Sequence, residues 1–110
     1  MSTRTYKISL GNVNVAKLET EDDFRREAEQ LLPKALVQVG EASGEVAWNE
    51  LQKSFRGVPG FKVNSSSSDK SKFIREAGQN YRRQATVKDR RELEDYIVAR
   101  LRELKQSRIN

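Results

Sequence analysis

Polar and apolar residues alternate at the start of the chain. In TYKISL, Tyr6, Ile8 and Leu10 alternate with Lys7 and Ser9, the period of a strand with one buried face. Gly11-Asn12 suits a two-residue turn, and Val13 and Val15 continue toward Leu18. Residues 1–19 are therefore expected to form a β-hairpin. Two strands alone are marginal in water, so the hairpin must pack on helices or on another chain.

The period then changes. Thr20 suits an N-cap, with Asp23 at the capping-box spacing and Glu21, Asp22 and Asp23 at the positive end of the helix dipole. Phe24, Ala28, Leu31, Leu32, Ala35, Leu36 and Val39 share one helical face, and Pro33 falls on the opposite one. The stripe keeps its phase across the proline, which predicts one kinked helix ending at Gly40. Ser43 can cap a second helix, from Gly44 to about Phe55, with Ala47, Trp48, Leu51 and Phe55 as its apolar side. GVPGFK breaks it. Phe61 and Val63 suit a short extended segment, and NSSSS suits an exposed loop. A third helix is expected from near Asp69. A fourth should start after Thr86, with Asp89 at the capping-box position, and run to about Gln106.

The fold class these elements predict is α+β, mainly α. A hairpin (1–19) leads into a helical core (20–84) and a C-terminal amphipathic helix (86–107), all in a single small domain over 1–110. A long helix, a short one, a Gly/Pro connection and a basic helix are compatible with a helix-turn-helix or winged-helix-like core. The connection from Arg56 to Ser68 is longer than a helix-turn-helix turn. GEVAWNELQKSFRGVPGFK followed by KFIREAG resembles, in spacing, the LOTUS class of winged-helix domains. That resemblance covers about half the chain, lacks a wing strand after the last helix, and implies RNA or protein-partner binding.

Composition narrows the chemistry. Apolar residues make up 35% of the 110, so the core should be small. Cysteine and histidine are absent, which removes disulfides, thiolate chemistry, the usual general base and the commonest metal ligands. Phosphate-loop, dinucleotide, zinc and calcium motifs are absent too. Glu19, Glu21, Asp22 and Asp23 read as helix-start acids before a Mg²⁺ cluster. The expectation is a non-enzyme with no cofactor, metal or small-molecule substrate. No apolar run approaches a membrane span and the N-terminus lacks a hydrophobic signal core, which points to a soluble, cytoplasmic protein.

Charge points to a partner. Residues 1–50 carry a net −3 and residues 51–110 a net +8, a split that suggests a polyanion, most often nucleic acid. Within KSKFIREAGQNYRRQ (70–84), Phe73, Ile74, Ala77 and Tyr81 fall on one side of a helical wheel. Lys72, Arg75, Gln79, Arg82 and Arg83 fall on the other, with Glu76 nearby. Lys70, Lys72, Arg75, Gln79, Arg82 and Arg83 are the candidate contact residues, extended by Lys53, Arg56 and Lys62. An exposed basic face is also what ordinary solvation produces, and Phe73, Tyr81 and Trp48 read as core anchors before base-stacking platforms.

The last helix carries both charges, with Lys88–Glu92, Arg90–Glu94 and Arg91–Asp95 at i,i+4 spacing. Its stripe of Leu93, Tyr96, Ile97, Leu101 and Leu104, with Arg100 inside it, suits a homodimer or partner interface. The alternative to nucleic-acid binding is thus an adaptor or structural subunit using the hairpin edge and this helix.

Overall fold

The computed structural model describes residues 6–55 and 67–109. Among these residues are three α-helices: α1 (Glu21–Phe55), α2 (Ser67–Gln84) and α3 (Val87–Ile109), preceded by a 3₁₀ turn at Val15–Lys17. There is no strand among the described residues, so the α+β expectation is corrected to all-α.

The hairpin fails for a local reason. Gly11 does adopt the left-handed backbone that a tight turn needs, at φ 71°. The following amides then bond backwards within the same segment: Val13 N–H to Gly11 O (3.2 Å), Val15 N–H to Val13 O (3.1 Å) and Leu18 N–H to Val15 O (3.1 Å). These short-range bonds use the donors that a ladder would have needed. Val15 and Leu18, three apart, are buried, and the turn packs on α3. The alternation still reports burial correctly. Tyr6 is buried, Ile8 and Leu10 are half-buried, and Lys7 and Ser9 are exposed.

Helix α1 starts as expected. Asp23 N–H donates to Thr20 Oγ1 (3.2 Å), and the Asp23 carboxylate accepts from the amides of Thr20 (3.1 Å) and Glu19 (3.0 Å). The helix runs unbroken through Pro33, which is exposed, so water can reach the carbonyl that the proline cannot bond. It also runs through Gly40 and Ser43, where two helices were expected. Gly40 has no left-handed backbone and ends nothing. It is small because α2 crosses there. A Cβ at Gly40 would lie 2.5 Å from Tyr81 Cβ, 2.7 Å from Ala77 O and 2.8 Å from Gly78 Cα.

Among the described residues, the helices expected of a helix-turn-helix or winged-helix core are not found as such. The two helices that would begin it are one, and no wing strand exists among the described residues. GVPGFK, Phe61, Val63 and the start of the serine run lie outside the described residues.

The chain divides into two compact units, with α1 contributing to both. The α2 unit comprises Met1–Lys7 and Val37–Gln84; the α3 unit comprises Ile8–Leu36 and Ala85–Asn110. The α3 unit holds the aliphatic core: Val15, Leu18, Phe24, Ala28, Ala35, Leu36, Leu93, Ile97, Val98 and Leu101 are all buried. A second capping box opens α3, with Asp89 N–H to Thr86 Oγ1 and Thr86 N–H to the Asp89 carboxylate, both 3.0 Å. The α2 unit buries Tyr6 and Val39, and packs its helices through Gly40, Gly44, Ala77 and Gly78.

Candidate nucleic-acid interface

The basic face is built on α2, whose sequence separates rings from cations at helical spacing. On the packed side, Phe73 meets Trp48 of α1 with ring centroids 5.3 Å apart and planes tilted by 51°. A Cβ at Gly44 would lie 2.6 Å from Ala77 Cβ, and one at Gly78 would lie 2.8 Å from Val37 O. Such contacts hold one side of α2 tightly against α1. The Trp48 indole N–H is buried without a hydrogen-bond partner among the described residues. Of the apolar side expected around Trp48, Ala47 and Leu51 stay exposed.

On the other side, Lys72, Arg75, Gln79, Arg82 and Arg83 are all exposed. Among the described residues, no carboxylate is within ion-pair distance of Lys72 or Arg75, Glu76 included. Arg83 donates from Nη2 to Asn80 Oδ1 at 2.6 Å, which holds its guanidinium in place and leaves its other donors for a ligand. Arg82 and Arg83 sit in the last turn, where the helix dipole favours cations. The dipole gives no such reason for Lys72 and Arg75, which lie beyond the first turn.

The structure separates the other expected contact residues. Lys70 is half-buried, and its position on the helix falls with Ala77 and Tyr81, away from the remaining cations. Lys53 is exposed near the end of α1, 3.7 Å from Glu50. Arg56 and Lys62 lie outside the described residues.

The stripe on α3 is placed differently from a docking edge. Leu93, Ile97 and Leu101 are buried in the chain's own core. Tyr96 is half-buried, Leu104 is exposed, and exposed Arg100 bonds Glu103 at 2.7 Å. With no strand among the described residues, the hairpin edge expected to accept a partner strand is not formed there.

Several ties were invisible in sequence because they join residues far apart. Arg25 of α1 bonds Asp95 at 2.7 Å and reaches Glu94 at 3.5 Å. The Asp95 hydrogen bond comes first among the causes that raise the Arg25 pKa above its ordinary value. Arg102 pairs with Glu21. The Lys105 ammonium donates to Leu18 O and lies 5.9 Å from the Phe24 ring centroid. The acidic start of α1 is therefore in structural use: Asp23 caps, and its backbone hydrogen bonds, from Thr20 first, hold its carboxyl below the usual range. An open groove of about 650 Å³ in the α3 unit is lined by Arg25, Leu32, Val87, Arg90, Arg91, Glu94 and Asp95. Its charges are mixed and Arg25 is already satisfied, so no ligand chemistry converges there.

No helix among the described residues is long and apolar enough to cross a membrane. Comparison with known proteins returns no matching family model, no matching curated protein and no matching solved structure.

Proposed function

We propose that this chain is a small, non-enzymatic nucleic-acid-binding protein, regulatory or accessory in role, that grips phosphates with the exposed face of α2. One observation carries the reading: the net charge lies in one unit. The α2 unit has ten Lys/Arg against five Asp/Glu, whereas the α3 unit has eleven of each. Within the α2 unit, four cations and one amide share the solvent side of a single helix. Phosphate neutralisation with counterion release needs just such a cluster of exposed cations on a rigid support. Ordinary solvation explains an exposed cation. It does not explain why one unit is neutral and the other holds the whole excess.

Fluorescence anisotropy with labelled duplex DNA, single-stranded DNA and RNA at low salt tests this. The wild type should bind at least one polymer. Arg75→Glu with Arg82→Glu should weaken binding by roughly 100-fold, because two phosphate contacts are lost and two repulsions added. Far-UV circular dichroism checks that the variant stays helical. Failure of every polymer to bind, or equal binding by the variant, defeats the proposal.

A further inference from the structure

Resting on the nucleic-acid reading above, we infer that the ligand of the α2 face is B-form duplex DNA entered through its major groove, and not a single strand. Two observations carry this.

The first is where the rings are. Binding a single strand without sequence preference depends on exposed aromatic side chains on which unstacked bases sit. Both aromatics of α2 are on its packed side: Phe73 lies against Trp48, and Tyr81 lies over Gly40. The solvent face offers guanidinium, ammonium and amide groups with the Glu76 carboxylate beside them, and neither ring of α2 lies on it.

The second is the layout of that face. From Lys72 to Arg83 the helix advances about 16 Å. Lys72 and Arg75 stand toward one end, Arg82 and Arg83 at the other, and Gln79 between them on the same side. The B-DNA major groove is about 12 Å wide, admits an α-helix, and has phosphates along both walls. Cations at both ends can reach the two walls while the central amide faces the base edges, where glutamine pairs with adenine. The major groove of A-form RNA is too narrow and deep for side chains to read.

The test uses the full chain and one 20-nucleotide sequence as single-stranded DNA, duplex DNA and duplex RNA, at matched salt. Duplex DNA should bind at least tenfold tighter than either alternative. Trp48, the only tryptophan, supplies a second readout. Its emission should stay unchanged at saturation with duplex DNA, because no base stacks in its neighbourhood. A preference for duplex DNA below tenfold, tighter binding of the single strand or the RNA duplex, or quenching of Trp48 overturns the inference and leaves the nucleic-acid reading standing. Binding of none of the three overturns that reading, and this inference with it.

Discussion

Among the described residues, ten apolar side chains are buried in the α3 unit and two in the α2 unit. The five largest fully buried ones, Leu36, Leu93, Ile97, Leu101 and Val15, all belong to the α3 unit. That unit is also neutral, with α1 and α3 tied by Arg25 and Arg102, and Lys105 of α3 bonded to Leu18 O. Among the described residues, the helices of the α2 unit meet at glycines and at a tilted ring pair, and that unit carries all of the net charge. Apolar burial among the described residues and the net charge thus lie in different units. A unit dense in like charge repels itself, and close backbone packing is a way to hold such a helix without a large aliphatic core.

The contrast can be broken most severely in the α3 unit. Leu36→Ala should cost about 2–5 kcal/mol by opening a cavity in a site with no exposure. Chemical denaturation followed by circular dichroism measures it, and a cost below about 1 kcal/mol would mean the core is elsewhere. Gly40→Ala probes the α2 unit. Its new methyl meets backbone atoms of α2, and overpacking of that kind costs about 1–3 kcal/mol. Only part is offset by the roughly 1 kcal/mol helix preference of alanine. The Trp48 emission transition should move more than the circular-dichroism transition, whereas a stabilised variant would show that the helices do not cross at Gly40.

Smaller effects sharpen the picture. Thr20→Ala removes the hydroxyl that caps α1 and should cost about 1 kcal/mol, and Thr86→Ala the same for α3. Arg25→Ala should cost only about 0.5 kcal/mol, because its pair with Asp95 is well exposed. Acid adds a sign test. Asp23 has its folded pKa below the ordinary 3.8, so its contribution is present above that value and is lost as pH falls through the folded pKa. Asp23→Asn should remove that part of the acid-side decline, measured as the difference in stability between pH 5 and pH 2.

Both capping boxes were legible in sequence because they are local: a threonine and an aspartate three residues apart suffice. The two faces of α2 and the stripe of α1 were legible for the same reason, since helical periodicity needs no knowledge of the rest of the fold. Gly40 was not legible. A lone glycine after an apolar stripe reads as a helix end until the approach of Ala77 and Gly78 is known. In Tyr6, Ile8 and Leu10 the period-two pattern reported which residues turn inward, but not that they do so without a pairing strand. The α3 stripe likewise announced burial without naming what covers it; Leu93, Ile97 and Leu101 are covered by the chain itself. Lys70 was grouped with the other cations by proximity in sequence, although the helical turn carries it to the opposite side.

In the proposed function the charge of the α2 face, not the total charge of the chain, holds nucleic acid. The dependence of duplex-DNA affinity on salt tests it most directly, in the wild type and in two variants of equal net charge. Four phosphate contacts predict a slope of log K against log salt of about −3.6. Arg75→Glu with Arg82→Glu should flatten it to about −2, while Lys88→Glu with Arg91→Glu, on α3, should leave it near the wild-type value. Equal flattening in both variants, or a wild-type slope near zero, would contradict the account.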